Sequence, residues 1–167
     1  TLLFLQMWNA TERVQDFSPC LEKPANPPRS SGFVIPYGYS PMDQENVGEQ
    51  VYLHMINRAN DYLYIMTPYL IPDEEMINAL CFAAKRGVDV RIITPGVPDK
   101  KTVYAVTRSY YAGLAAQGVR IYEYTPGFCH AKQCICDGKI ASLGTSNLDY
   151  RSLYHHFENN VLLYGCD

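Results

Sequence analysis

Two side chains with complementary chemistry, His130 and Lys132, stand two residues apart in a run of strand-forming residues. Residues two apart project from the same face of a β-strand, so the imidazole and the ammonium are predicted to lie together. An imidazole can act as a nucleophile or as a general acid or base near neutral pH. An ammonium beside it can hold a phosphate oxygen and stabilise developing negative charge. The pair therefore points to phosphoryl transfer.

The segment from Gly144 to Asn147 supplies hydroxyl and amide donors for such a reaction. Asp137 and Gly138 predict a tight hairpin turn, and the strand after the turn runs back towards His130. Depending on the register, the donors come to lie beside His130. A single His-x-Lys pair is common and carries little information by itself. Here the full pattern is His-x-Lys-x4-Asp-x6-Gly-Thr-x-Asn, whose long spacing argues against chance agreement.

The elements that must position these residues alternate between helix and strand. Asp73 is the predicted N-cap of a helix that ends before Gly87. The other predicted helices cover residues 2–13, 44–60 and 100–116, and the predicted strands cover residues 32–36, 62–66, 88–94, 119–124, 130–136, 139–143 and 159–164. This order predicts an α/β sandwich with a mixed sheet, parallel in the middle and antiparallel near the end. The prolines between Ser18 and Ser31 predict a loop or linker.

The composition narrows the function classes. The chain has 167 residues, of which 47% are hydrophobic and 19% charged, as in a globular domain. A net charge of −3 argues against a generic nucleic-acid binder, so no nucleic acid partner is expected. Cys129, Cys134 and Cys136 with His130 are poorly spaced for zinc, and reduced thiols without a metal or other cofactor are expected. Neither an apolar run of membrane-spanning length nor a signal peptide is recognisable, which predicts that this chain is soluble.

The His-x-Lys-x4-Asp-x6-Gly-Thr-x-Asn pattern matches the signature of the phospholipase D superfamily at every fixed position. Further segments, residues 67–74, 83–92, 144–152 and 157–160, resemble bacterial cardiolipin synthases, and the resemblance runs from about Gly32 onward. It implies a phospholipase D-like α/β/α sandwich, with a central mixed sheet flanked by helices. Residues 7–9 resemble the segment that follows the first catalytic motif in that family. We therefore divide the chain into residues 1–31, a helix and linker from a preceding half, and residues 32–167, a half-domain expected to be truncated at its C-terminus.

The resemblance also implies a mechanism. The superfamily uses no metal and forms a covalent phosphohistidine, with two motifs sharing one site across a pseudo-twofold axis. By position His130 belongs to the second motif, which favours an acid/base role over that of the nucleophile. Lys132 and Asn147 would bind the phosphate oxygens, and Thr145 would supply a hydroxyl. Glu158 occupies the place of an acid that orients a catalytic imidazole.

Four further residues complete the candidate site. Asp137 completes the motif, although its place at the hairpin turn indicates a structural role. Ser146, Tyr150 and Arg151 are candidates for substrate binding, and a purely structural role for Tyr150 and Arg151 stays open.

The implied reaction is transfer of a phosphatidyl group between two phospholipids, cardiolipin formation from phosphatidylglycerol. Because water must compete poorly, a partly apolar mouth is expected, and residues 69–72 are candidates for it. One alternative is a phospholipase D-type phosphodiesterase or nuclease that acts as a homodimer. Another is a half-domain without catalytic function that only holds a partner domain.

A site of this family needs two motifs, and this sequence has one. His54, His155 and His156 lack the pattern, and a solvated or packed role is expected for them. The second motif must come from a missing N-terminal half or from a second copy of the chain, so the chain alone is expected to be inactive. Because position 1 is not Met and a helix has already begun there, we expect a piece of a longer protein. That protein is expected at the cytoplasmic face of the bacterial membrane, anchored by upstream helices.

Overall fold

The structure is a computed structural model, and it describes residues 2–11, 16–23, 25–26 and 31–166. The predicted end of the first helix near Arg13 and the linker prolines Pro24, Pro27 and Pro28 lie outside the described residues.

Helices and strands alternate along the described chain. The helices are α1 (Leu2–Thr11), α2 (Val47–Arg58), α3 (Glu74–Lys85), α4 (Lys101–Ser109), α5 (Tyr111–Ala116) and α6 (Tyr150–His155), with a short 3-10 turn at Ser18–Leu21. The strands are β1 (Phe33–Tyr39), β2 (Tyr62–Met66), β3 (Leu70–Ile71), β4 (Asp89–Pro95), β5 (Arg120–Tyr124), β6 (Gln133–Cys136), β7 (Ile140–Gly144), β8 (Leu148–Asp149) and β9 (Glu158–Tyr164).

Seven of these strands form one mixed sheet in the order β1-β9-β7-β6-β2-β4-β5, and β3 pairs with β8 in a separate two-stranded ladder. Strands β2, β4 and β5 run parallel, whereas β6, β7, β9 and β1 pair antiparallel. The predicted α/β sandwich is therefore confirmed, with parallel strands from the middle of the chain and antiparallel strands near its end.

The two faces of the sheet differ in burial. Helices α2, α3 and α5 contact one face, whose aligned side chains are buried; they include Leu63, Ile65, Val90, Ile92, Cys134 and Cys136. Alternation along β6 thus turns both cysteines into the core, as the sequence predicts. On the other face α1 lies against Gly38 through Met7. Further along that face Val34, Leu143 and Tyr122 stay exposed.

Local sequence signals fix several boundaries. Asp73 caps α3 by accepting a hydrogen bond from the backbone N–H of Met76 at 2.8 Å, as predicted. Asp137 and Gly138 connect β6 and β7 with φ angles of 52° and 63°. Two successive positive φ values are typical of the tight turns that join antiparallel strands, so the predicted hairpin is confirmed.

The predicted strand at residues 130–136 is wrong for its first three residues, because β6 begins only at Gln133. On one side β2 ends at Met66, opposite Gln133, and Pro68 follows soon after. On the other side β7 ends at Gly144, whose N–H donates to the Lys132 carbonyl at 3.2 Å. Residues 130 and 131 therefore have no strand partner on either side.

The predicted helix over residues 100–116 is two helices that meet at Tyr110. They are held to different strands. Thr107 on α4 accepts the N–H of Leu70 from β3 at 3.2 Å, whereas the Tyr111 hydroxyl on α5 bonds Thr94 on β4 at 2.6 Å. The sequence patterns also missed β3, β8 and α6, which are too short to show a periodicity.

Candidate active site

An open pocket of about 550 Å³ lies where the segment before β6, the end of β7 and the start of β9 meet. Antiparallel pairing sets Gly144 opposite Asn160, which brings the residues after β7 beside the start of β9. Five of the residues predicted to form the site line this pocket: His130, Lys132, Thr145, Asn147 and Glu158. They come from three separate stretches of the chain.

Lys132 contacts the backbone carbonyl of His130, and alternation along a strand is not what brings the two residues together. The Lys132 ammonium donates to the His130 carbonyl at 2.7 Å, and the His130 ring stacks on Phe128 with ring centroids 5.5 Å apart. The imidazole itself is exposed to the pocket. Loss of hydration lowers the pKa of Lys132, while the charges of Glu158 and Asp149 oppose the shift.

Glu158 is a buried carboxylate, 5% exposed, between a hydroxyl and an imidazole. The Thr145 hydroxyl donates to Glu158 Oε2 and accepts the N–H of Asn159 at 3.0 Å. His156 Nδ1 lies 3.5 Å from Glu158 Oε1. Both carboxylate oxygens thus have a partner in this chain, and the imidazole within reach is His156 rather than His130.

His156 is a pocket residue that sequence reasoning did not select. Its side chain is about half exposed, at 48%, which agrees with a partly solvated residue, but it faces Glu158 at the pocket wall. The available signal was its spacing. His156 stands two residues before Glu158, and residues two apart project from one face of an extended chain.

Asn147 lies at the back of the pocket. Its Nδ2 donates to Asp149 Oδ2 at 3.4 Å, and its buried Oδ1 has no hydrogen-bond partner among the described residues. An amide with a free polar atom at a pocket wall can take part in ligand binding. Asp149 in turn caps α6, accepting the N–H of Ser152 at 2.7 Å.

Four predicted site residues lie outside this pocket: Ser146, Asp137, Tyr150 and Arg151. Ser146 is buried, and its hydroxyl bonds the Tyr39 hydroxyl at 2.5 Å and Asn160 Nδ2 at 2.7 Å, so its side chain joins β1 and β9. Its carbonyl accepts the hydroxyl of Tyr52 from α2 at 3.3 Å. Asp137 lies at the opposite end of β6, in the hairpin turn.

The carboxylate of Asp137 binds three backbone N–H groups in the connection between α2 and β2. The distances are 2.8 Å from Asn60, 3.0 Å from Asp61 and 2.8 Å from Tyr62. Burial alone would raise the pKa of Asp137, but these N–H groups outweigh it and hold the pKa below its usual value. The geometry agrees with the structural role that its place in the turn indicates.

Tyr150 and Arg151 line a second, neighbouring pocket of about 350 Å³, which we call the Arg151 pocket; its other lining residues are Tyr69, Ile71, Lys100, Val103 and Asp149. The expectation that residues 69–72 form an apolar mouth is wrong for Leu70 and Pro72, which are both buried. Leu70 lies in the core, because alternation along β3 turns its side chain inward and that of Ile71 towards the pocket.

Within the described residues, no cluster of three or more His, Cys, Asp or Glu side chains could hold a metal ion. In the same part of the chain, no helix has the length and apolar character needed to cross a membrane.

Solved structures place this fold in a known class. A phospholipase D family member, Nuc from Salmonella typhimurium, aligns with a TM-score of 0.65 at 21% identity, covering 81% of this chain and 84% of that one. The phosphatidylserine synthase of Haemophilus influenzae Rd KW20 aligns with a TM-score of 0.61 at 20% identity, covering 79% and 34%. At these identities the likeness defines the fold alone, which is the phospholipase D fold.

Sequence comparison gives the family. Residues 52–166 match the family described as "Cardiolipin synthase, PLD-like domain", and the chain belongs to this family. It is 40% identical over 167 residues to a cardiolipin synthase of Geobacillus thermodenitrificans, covering 99% of this chain and 33% of that protein. It is 55% identical over 167 residues to an uncharacterized protein of Streptococcus mutans, covering 100% and 36%. The chain thus spans about a third of the length of these relatives.

Proposed function

We propose that the protein containing this chain transfers a phosphatidyl group from one phospholipid to a hydroxyl of another, forming cardiolipin from phosphatidylglycerol. The observation that carries the proposal is the convergence of His130, Lys132, Thr145, Asn147 and Glu158 on one pocket. An exposed imidazole beside an ammonium and a buried carboxylate is a set suited to phosphodiester exchange. Membership of the cardiolipin synthase family supports the choice of substrate.

In the proposed reaction His130 moves protons. A histidine from the other half of the site attacks the phosphorus, and a P–N bond forms as the P–O bond to the leaving glycerol breaks. His130 gives its proton to that glycerol oxygen. It then takes the proton of the acceptor hydroxyl, whose oxygen forms the new P–O bond while the P–N bond breaks. Lys132 and Asn147 hold the non-bridging phosphate oxygens throughout.

The contacts of Glu158 with Thr145 and His156 support this scheme. The buried carboxylate of Glu158 has a partner at each oxygen, which fixes its position in the pocket wall. The charge of Glu158 also offsets the loss of hydration that lowers the pKa of Lys132. This effect favours the charged ammonium that holds a phosphate.

We further propose that residues 32–167 form one half-domain and that residues 1–31 belong to a preceding half. Two observations support the division. Helix α1 lies on the open sheet face, apart from the α2, α3 and α5 layer, and Met7 reaches the active-site pocket. The exposed apolar side chains Val34 and Leu143 on that face suit cover by the other half or by a second copy. The full-length protein would act at the cytoplasmic face of the membrane.

The test uses the full-length protein with acyl-labelled phosphatidylglycerol in vesicles. His130→Ala should abolish cardiolipin formation, because no other described side chain in the pocket takes its place beside Lys132. His54→Ala, an exposed histidine on α2, is the matched control and should retain activity. Full activity of His130→Ala would favour the scaffold interpretation. Release of phosphatidate or nucleotides without cardiolipin would favour the phosphodiesterase or nuclease.

A further inference from the structure

The Arg151 pocket lies between β3, the start of α4 and the start of α6, next to the active-site pocket but separate from it. Its side chains combine two kinds of surface. Ile71 and Val103 give aliphatic walls, and Tyr69 and Tyr150 give aromatic ones. The Tyr150 ring packs against Tyr154 with centroids 4.9 Å apart, which supports one wall from α6.

Two cations, Lys100 and Arg151, reach this pocket and are exposed. Neither side chain makes a hydrogen bond or an ion pair within the described part of the chain. The acids nearby are already engaged. Asp149 is 7% exposed and accepts the Ser152 N–H, while Asp99 accepts the Tyr69 hydroxyl. The cations are therefore available to an anionic ligand, and a guanidinium can bind a phosphate through two parallel hydrogen bonds.

A short link connects the two pockets. Asn147 lines the active-site pocket and donates to Asp149, which lines the Arg151 pocket. The Asn147–Asp149 hydrogen bond thus lies on the border that the two pockets share.

We propose that the Arg151 pocket binds the phosphate of the acceptor phospholipid, while the acceptor's glycerol hydroxyl reaches His130. This inference rests on the proposed function and assigns a place to its second substrate. Apolar walls beside unpaired cations fit an amphiphilic anion, with the methylenes of the lipid against Ile71 and Val103. Water carries no phosphate and gains nothing from this pocket, so the pocket favours transfer over hydrolysis.

The test is a competition between two acceptors in the full-length protein. Acyl-labelled phosphatidylglycerol serves as donor in vesicles that also contain monoacylglycerol, a neutral lipid with the same glycerol hydroxyls. The measured quantity is the ratio of cardiolipin to phosphatidyl-monoacylglycerol. Because both products arise from the same phosphohistidine, the ratio is independent of the amount of folded enzyme.

In the variant Lys100→Gln/Arg151→Gln the ratio should fall at least about tenfold, because the loss of even one charge-assisted contact to phosphate has an effect of this size. Arg151→Lys keeps the charge but loses the bidentate geometry, so its ratio should lie between those of the wild type and the double variant. Lys101→Gln and Arg108→Gln remove exposed cations of α4 that do not line the pocket, and they should leave the ratio unchanged.

An unchanged ratio in the double variant, or an equal fall in the two control variants, overturns the inference and leaves the proposed function intact. Absence of both products from the wild-type protein overturns the proposed function itself. Excess inorganic phosphate should not lower the ratio, since it cannot fill the apolar walls. A fall as large as that in the double variant would assign the pocket to free phosphate and overturn the lipid assignment. If the double variant makes neither product, the ratio measured for Arg151→Lys tests the inference in its place.

Discussion

Replacement of Asp137 should destabilise the fold, although this residue belongs to the motif that carries the chemistry. Its carboxylate accepts the N–H groups of Asn60, Asp61 and Tyr62 at 2.8–3.0 Å, and these bonds join the β6–β7 turn to the start of β2. Its own φ angle is 52°, a conformation that Asp and Asn tolerate better than Ala. The change Asp137→Ala removes all three bonds and also strains the turn.

The expected loss in the free energy of unfolding follows from how exposed the three N–H donors are. Asn60 and Asp61 are exposed, so water replaces the carboxylate and each lost bond costs about 0.5 kcal/mol, whereas the half-buried bond to Tyr62 costs about 1.5 kcal/mol. With about 1 kcal/mol for Ala at positive φ, Asp137→Ala should lower the free energy of unfolding by about 3.5 kcal/mol. Asp137→Asn keeps the turn and one acceptor oxygen, and should cost about 1.5 kcal/mol.

Urea denaturation of the 167-residue chain, followed by circular dichroism, measures both changes. Because the pKa of Asp137 is lowered in the folded state, its stabilisation is present above the unfolded pKa of about 3.9 and is lost as the pH falls through the folded pKa. The difference between wild type and Asp137→Asn should therefore shrink as the pH falls below about 3.9. Equal effects of Asn and Ala, or losses below about 0.5 kcal/mol for both, would refute the reasoning.

Three further outcomes are expected. Gly144→Ala sets a methyl group 2.2 Å from Asn160 Oδ1 and should lower the free energy of unfolding by about 1–3 kcal/mol in urea; an unchanged midpoint would contradict this. Asp149→Ala removes the N-cap of α6 and should cost about 1 kcal/mol, with most of it recovered in Asp149→Asn; equal losses would show that capping is not the cause. His156→Gln replaces the half-exposed imidazole that contacts Glu158, so cardiolipin formation should slow about two- to threefold. A loss above about a hundredfold would mean that His156 touches the substrate.

Much of the fold follows from local sequence alone. The Asp73 cap and the Asp137–Gly138 turn were predicted because capping and turn chemistry act within a few residues. The alternation of helices and strands gave the mixed sheet for the same reason, since periodicity is a property of one segment. The motif spacing likewise selected His130 and Lys132, which the structure places in one pocket.

Tertiary structure alone decided which neighbours those residues have. Pairing of β7 with β9 brings Thr145 to Glu158, and with it His156, whose spacing from Glu158 did not by itself mark it as a site residue. The same packing turns Ser146 inward and moves Arg151 into a second pocket. These contacts join residues that are distant along the chain or lie on very short elements, so their direction depends on register and packing rather than on periodicity.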